Sequence, residues 1–103
     1  MVWSYFFGRR RHPRRTDLSF VLYTRRGCHL CDAAWQILNE SRRRQGFALE
    51  AVDVDTSEEL ASQYGNCVPV VTVNGRLRFR GAVNRVLLQR ILDAKPATAP
   101  SLP

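Results

Sequence analysis

The regular pattern of the chain begins at residues 18–24, an apolar run that predicts a buried strand. Residues 32–44 carry apolar positions at the spacing of an amphipathic helix. Three arginines close this stretch, and Gly46 follows them, which predicts where the helix ends. The positions that we expect on its inner face are Ala34, Ile37 and Leu38, together with Leu30 or Trp35.

A second strand and a second helix follow. Residues 47–54 alternate between apolar and polar positions, with one slip, which is typical of a strand. Thr56 and Glu59 stand at the spacing of a capping box, which predicts a helix that begins there and ends at Tyr64-Gly65.

The last part of the pattern predicts a hairpin and a helix. Two β-rich runs flank Asn74-Gly75, which is the strongest short-range signal for a hairpin. Arginines alternate along the second run, as expected of an edge strand protected from pairing with another chain, and we favour this interpretation over a ligand-binding role. These arginines are Arg76, Arg78 and Arg80. Residues 83–94 predict an amphipathic helix with Val86, Leu87, Ile91 and Leu88 facing inward.

The element order is therefore β-α-β-α-β-β-α, an α/β fold with a four-stranded mixed sheet flanked by three helices. Helical crossovers between the first three strands predict that the first strand is parallel to both of its neighbours. The hairpin then adds an antiparallel edge strand.

The candidate chemistry lies where the first strand gives way to the first helix, at Cys28-His29-Leu30-Cys31. Free backbone N–H groups and aligned peptide dipoles at a helix N-terminus favour an anion. We therefore expect the pKa of Cys28 to be lower than that of a free thiol, which makes it the more reactive cysteine. Cys31 lies one helical turn further on, close enough to form a disulfide with it.

Length and cysteine count limit the class of protein. A chain of 103 residues with three cysteines forms one domain and lacks the cysteine density of a secreted disulfide scaffold. Three cysteines, of which Cys67 lies outside the Cys-x-x-Cys, suit a reducing compartment where that motif is catalytic rather than structural, so we expect a cytoplasmic protein. The N-terminus has the wrong order of charge and apolar residues for a secretory signal, and no segment has the length of a transmembrane helix.

The net charge of +7 is unevenly distributed. Residues 1–16 hold five arginines and no acidic residue, which predicts a basic N-terminal arm ahead of a domain at 17–94 and a flexible tail at 95–103. The arm could make weak contact with nucleic acid, an anionic membrane or an acidic partner. We favour the simpler interpretation of a solvated leader.

The element order, with Cys-x-x-Cys after the first strand and Val68-Pro69 before the third, resembles the thioredoxin fold. Within it, residues 23–32 resemble the active-site stretch of glutaredoxins, in particular a glutaredoxin-like subgroup with Cys-His-Leu-Cys. The resemblance covers about residues 18–94. It implies that Cys28 is the attacking thiolate and Cys31 the resolving thiol.

The resemblance also implies a substrate surface. Pro69 would be a cis-proline whose loop faces the disulfide, and the backbone of Val68 would pair with a bound peptide or glutathione. Arg25, or its neighbour Arg26, would meet a glutathione carboxylate. Gly81 corresponds to the first residue of the Gly-Gly motif that holds the γ-glutamyl end of glutathione.

This last motif is incomplete in the chain. Its second glycine is Ala82, and Asn84 stands in place of the acidic residue, so that no negative charge meets an ammonium group. Glutathione is therefore an open question as co-substrate, and we expect no tightly bound cofactor. We expect a monomer.

Two further residues carry open alternatives. Cys67 lies two positions before Pro69 and could form an alternative disulfide or a glutathione adduct, although a half-buried apolar filler is the favoured interpretation. His29 could assist the Cys28 thiolate electrostatically or simply lie in solvent.

The leading functional hypothesis is a thiol–disulfide oxidoreductase that acts on protein disulfides or glutathione mixed disulfides through Cys28 and Cys31. One alternative is a protein that handles zinc or an iron–sulfur cluster with the same cysteines. Another is a thioredoxin-fold binding module that uses its basic arm.

Overall fold

The structure is a computed structural model and describes residues 15–94. Its elements, in chain order, are β1 (Ser19–Thr24), α1 (His29–Gln45), β2 (Ala48–Asp53), a 3-10 turn (Val54–Thr56), α2 (Glu58–Tyr64), β3 (Val70–Val73), β4 (Arg76–Arg80) and α3 (Arg85–Asp93). This order and the three helices confirm the predicted fold class. In residues 15–94 no helix is both long enough and apolar enough to cross a membrane.

The four strands form one mixed sheet in the order β2-β1-β3-β4. Strand β1 is parallel to β2, whereas it is antiparallel to β3, and β3 is antiparallel to β4. The prediction that β1 is parallel to both neighbours is therefore wrong. The seven residues of α2 span only about 10 Å, whereas a return along the six residues of β1 needs about 20 Å. The chain thus enters β3 beside the carboxyl end of β1, where Tyr23 pairs with Val70.

The core lies against β1, whose Phe20 and Leu22 are almost completely buried. The ring of Phe20 stacks on Phe47, which precedes β2, with ring centroids 4.2 Å apart. Helix α1 contributes Leu38, and the hairpin contributes Val71. Burial of these large apolar side chains is the main favourable contribution to the free energy that holds β1, α1 and the hairpin together.

Helix α1 begins at His29 and ends at Gln45, and Gly46 terminates it with a left-handed φ of 81°. The predicted inner positions Ala34 and Leu38 are buried, but Leu30 and Trp35 are 58% and 38% exposed, so this part of the prediction is wrong. The start at residue 29 sets the phase of the helix, and its buried stripe follows the i, i+3, i+4 spacing of one face. The residues of this stripe are Cys31, Ala34, Leu38, Ser41 and Gln45.

Helix α3 also differs from the prediction in which side it buries. Val86 and Leu87 are 63% and 45% exposed, while Leu88 and Leu92 are buried. Asn84 is the N-cap, and its side-chain oxygen accepts hydrogen bonds from the backbone N–H groups of the two exposed residues. Because the helix begins at this cap, the positions spaced i, i+4 from Leu88 turn toward the core instead.

Helix α2 has a different cap from the predicted one. The N-cap is Ser57, whose Oγ accepts a hydrogen bond from the N–H of Leu60 at 3.3 Å. Thr56 lies in the preceding 3-10 turn and donates its hydroxyl to the carbonyl of Asp53 at 2.7 Å. The predicted end at Gly65 is confirmed.

The hairpin turn forms as predicted. Asn74 and Gly75 both have positive φ, 52° and 84°, as a two-residue hairpin turn of this hand requires. The pairing slips by one residue within β4, because Val71 pairs with Phe79 whereas Thr72 pairs with Leu77. The residue between them is an added one, as in a β-bulge.

Arg15 belongs to the folded domain, although the sequence placed it in the basic arm. Its side chain is buried and forms a bidentate ion pair with Asp17, at 2.9 and 3.0 Å. It also donates to the carbonyls of Leu92 and Ala94 at the end of α3, while its own backbone N–H bonds the carbonyl of Gln45. Arg15 thus caps the C-termini of both α1 and α3 by hydrogen bonds to their terminal carbonyls. The rest of the predicted arm and the predicted tail lie outside the described residues.

We expect Arg15→Ala to lower the free energy of unfolding by about 2–3 kcal/mol, because it leaves buried helix-terminal carbonyls and a carboxylate without their charged donor. Urea denaturation measures this change. Arg85→Ala is the matched control, since Arg85 forms an exposed ion pair with Glu40 at 3.5 Å and should change stability by no more than about 0.5 kcal/mol. Equal losses in the two variants would contradict the structural role of Arg15.

The same comparison has a defined pH dependence. Hydrogen bonds from Arg15 hold the pKa of Asp17 below its usual value. A carboxyl group with a lowered folded-state pKa stabilises the protein above its unfolded-state pKa, and this contribution is lost as the pH falls through the folded-state pKa. The stability difference between wild type and Arg15→Ala should therefore shrink below about pH 4 and persist at neutral pH.

Candidate active site at the Cys28–Cys31 disulfide

Cys28 is the N-cap of α1, and it forms a disulfide with Cys31 across a Cα–Cα distance of 5.2 Å. Its backbone is extended, with φ −96° and ψ 107°, and its Sγ accepts a hydrogen bond from the N–H of Cys31 at 3.1 Å. Cys31 is buried under the first turn, whereas Cys28 is only half-buried. The predicted position of Cys28 at the helix N-terminus is thus confirmed, and it is the more exposed of the two cysteines.

The loop from β1 to Cys28 is a tight turn. The N–H of Cys28 donates to the carbonyl of Arg25 at 3.3 Å, and Gly27 adopts a left-handed φ of 79°. Nothing lies within 4 Å of a Cβ built on this glycine, so the backbone conformation and not space explains its presence. The turn sets the direction from which Cys28 enters the helix.

Arg25 links this loop to two other segments. Its guanidinium forms a bidentate ion pair with Asp55, at 3.0 and 3.1 Å, and donates to the carbonyl of Gly65 at 3.0 Å. A Cβ built on Gly65 would clash with the backbone carbonyl of Ala61 and would also lie 2.6 Å from Nη2 of Arg25, so glycine suits this position. The predicted contact of Arg25 with a glutathione carboxylate stays a prediction, since this guanidinium already bonds three protein oxygens.

Arg26 differs from its neighbour. Its side chain is exposed and forms no ion pair or hydrogen bond with any residue in the 15–94 range. It therefore presents an unpaired positive charge beside Cys28. An aromatic contact adds to the link made by Arg25, because the rings of Tyr23 and Tyr64 lie 4.7 Å apart.

The peptide bond between Val68 and Pro69 is cis, as the resemblance to glutaredoxins implied. The carbonyl of the buried Pro69 accepts a hydrogen bond at 2.8 Å from the N–H of Gly81, which has a left-handed φ of 86°. The end of β1, the start of β3 and the end of β4 lie side by side at one end of the strands. The disulfide follows β1, the cis-proline loop precedes β3 and Gly81 follows β4, so all three lie at this end of the sheet.

Cys67 is half-buried and is the free cysteine of the described residues. Its backbone N–H bonds the carbonyl of Tyr64 at 2.9 Å, which ties it to the end of α2. His29 and Leu30, between the two active-site cysteines, are exposed. Across residues 15–94, no group of three or more His, Cys, Asp and Glu side chains is arranged to hold a metal ion.

The contacts of Asp55 and Gly65 with Arg25 are the features of this region that the sequence did not indicate. Asp55 lies 30 positions from Arg25 and Gly65 lies 40 positions from it, so neither contact leaves a local pattern.

Solved structures share this architecture. An X-ray structure of a protein from X. campestris covers 76% of this chain and 100% of its own, with 33% identity and a TM-score of 0.62. An NMR structure of a protein from Nitrosomonas europaea covers 74% of this chain and 92% of its own, with 26% identity and a TM-score of 0.65. A mutant thioredoxin from Halobacterium salinarum, 18% identical with a TM-score of 0.61, shows the fold alone and covers 86% of this chain and 95% of its own. The fold is that of thioredoxin.

Sequence relatives identify the family within this fold. A "Probable Thioredoxin" of Methanothermobacter thermautotrophicus is 31% identical over 71 residues, which are 66% of this chain and 84% of that protein. Residues 19–93 match the family described as "Glutaredoxin-like domain (DUF836)". The chain belongs to this glutaredoxin-like family, within the thioredoxin-like oxidoreductases.

We expect Arg25→Ala to loosen the segment from Gly65 to the cis-proline loop, because it removes the ion pair and the bond to the Gly65 carbonyl. Hydrogen exchange at the amides of Gly65 and Cys67 should become about tenfold faster, beyond any increase that a change in global stability causes at all amides. Arg26→Ala is the matched control and should leave these amides unchanged. Unchanged exchange in Arg25→Ala would show that this guanidinium does not hold the two loops together.

Proposed function

We propose that this protein is a dithiol thiol–disulfide oxidoreductase in which Cys28 attacks and Cys31 resolves. The observation that carries the proposal is the position of the Cys28 sulfur, accessible at the start of α1 and hydrogen-bonded by the N–H of Cys31. That N–H and the helix dipole stabilise negative charge on the sulfur once the disulfide is reduced. Membership of the glutaredoxin-like family and the cis-proline loop support the same chemistry.

The reaction has two exchange steps. The Cys28 thiolate attacks one sulfur of a substrate disulfide, the substrate S–S bond breaks, and the first substrate thiol leaves with a proton from water. Cys31 then loses its proton and attacks Cys28, which releases the second substrate thiol and forms the Cys28–Cys31 disulfide. Two electrons pass from the protein to the substrate, and a cellular thiol pair returns them.

The buried position of Cys31 supports its role as the resolving thiol. A substrate sulfur approaches from solvent and meets Cys28 first, because Cys31 is only 1% exposed. Once Cys28 is joined to a substrate, Cys31 lies one helical turn away with a Cα–Cα distance of 5.2 Å, which suits attack without backbone movement. We propose that this cycle runs in the cytoplasm, where thiols are kept reduced.

Cys28→Ser should abolish reduction of insulin or of bis(2-hydroxyethyl) disulfide, because the attacking thiolate is removed. Cys31→Ser should instead accumulate a covalent mixed disulfide at Cys28, detected by intact mass. Cys67→Ser is the control for the third thiol and should keep most of the activity. Full activity in Cys28→Ser would overturn the proposed function.

Glutathione is the finer question, and Arg26 is the residue that we propose for its carboxylate. The exposed guanidinium of Arg26 is free of partners in the described residues, whereas that of Arg25 is bonded to Asp55 and Gly65. The backbone of Val68 and the open space around Gly81 would take the remainder of the tripeptide.

Arg26→Gln should raise the KM for a glutathione mixed disulfide about tenfold with little change in kcat, since a contact made equally in the ground and transition states affects binding alone. The KM for bis(2-hydroxyethyl) disulfide, which has no carboxylate, serves as the internal control and should not change. Equal KM changes for both substrates, or none for either, would remove Arg26 from glutathione recognition and leave the oxidoreductase proposal intact.

The alternative hypotheses receive less support. A zinc site within one chain would need ligands beyond Cys28 and Cys31, and residues 15–94 offer no group of three or more such side chains. The basic-arm hypothesis concerns residues whose structure is not described, apart from Arg15, which is buried in the domain.

A further inference from the structure

A pocket of about 330 Å³ opens at the end of the sheet opposite the disulfide. Its apolar wall comes from Leu18 ahead of β1, Val73 at the end of β3 and Ile91 in the last turn of α3. Cys28 follows the other end of β1. The six residues of β1 therefore separate the pocket from the disulfide by about 20 Å.

Three exposed arginines line this pocket: Arg76 and Arg78 from the edge strand β4, and Arg90 from α3. None of them forms an ion pair with another residue of the described chain. The carboxylate in the lining, Asp17, is paired with Arg15, which also lines the pocket. The pocket thus holds three positive charges that no carboxylate balances.

Protection of an edge strand does not account for this arrangement. It explains arginines on β4, but Arg90 lies on a helix and lines the same pocket. Arg80 makes the contrast, because it lies on β4 and is exposed but does not line the pocket. General basicity does not account for it either, since residues 46–75 contain five acidic residues and no lysine or arginine.

The chemistry of the walls indicates the class of ligand. Planar guanidinium groups match the oxygen geometry of phosphate and can bond it through two N–H groups at once. Leu18, Val73 and Ile91 offer apolar contact to an organic group, and the volume lies at the small end of the range for small-molecule sites. We propose that this pocket binds a small organic molecule that carries a di- or triphosphate group.

This inference goes beyond the proposed function and does not depend on it. Neither cysteine of the disulfide contributes to the pocket, so Cys28→Ser should bind the same ligand with unchanged affinity. Failure of the redox assays would leave the binding result standing, and the reverse also holds.

Isothermal titration of the full chain with ADP and with pyrophosphate, at about 50 mM salt, tests the proposal. We expect saturable binding of both, with ADP the tighter because its organic group meets the apolar wall. In amide NMR spectra the shifts should concentrate at residues 73–79 and 90–94. The triple variant Arg76→Gln, Arg78→Gln, Arg90→Gln should weaken binding at least about tenfold.

The matched control is the triple variant Arg43→Gln, Arg44→Gln, Arg80→Gln, which removes the same charge from exposed positions outside the pocket. It should weaken binding less than about twofold. Equal weakening in the two triple variants would overturn the proposal, because it would reduce the effect to overall charge. So would the absence of saturable binding, or tight binding of a single-stranded oligonucleotide that the pocket variant leaves unchanged.

Discussion

The hydrogen bond from the backbone N–H of Cys31 to the sulfur of Cys28 is the contact on which the site depends. It makes a cysteine the N-cap of α1, a position that serine, threonine and aspartate usually occupy because they accept such a bond. The sulfur of Cys28 therefore caps the helix and accepts a hydrogen bond from a backbone N–H group that has no partner within the helix. Because the cap requires Cys28 to be extended and Cys31 to be helical, the same local conformation brings the two sulfurs together and buries only the second.

The sheet topology determines what surrounds that sulfur. Helix α2 is too short to carry the chain back along the length of β1. Strand β3 therefore starts beside the carboxyl end of β1, and the cis-proline loop lies at that end of the sheet. Arg25 then fixes this relation through its bonds to Asp55 and Gly65, and the N–H of Gly81 fixes the carbonyl of Pro69. A parallel β3, as the sequence led us to expect, would have placed Pro69 at the opposite end of the sheet from the disulfide.

The parts that were predictable from sequence depend on neighbours along the chain. The hairpin at Asn74-Gly75, the helix end at Gly46 and the position of Cys28 at a helix N-terminus are all decided within a few residues, where turn and cap chemistry acts. Apart from the cap of α2, which lies at Ser57, the errors concern relations between distant segments. The exposure of Val86 and of Leu30 depends on which face of a helix packs against the sheet. The residue type alone does not decide this, because apolar residues also occur on exposed helix faces.

Arg15 and Arg25 show why the charged residues were the hardest to assign. Both lie in arginine-rich stretches that predict solvent exposure or ligand binding, yet each bonds an aspartate and backbone carbonyls at the ends of helices. A buried guanidinium is stable only where every donor finds an acceptor, and helix C-termini supply carbonyls with no partner of their own. The exposed arginines Arg26, Arg76, Arg78 and Arg90 have no such partner among the described residues. Unpaired carbonyls at helix C-termini therefore account for the two arginines that are held within the described fold.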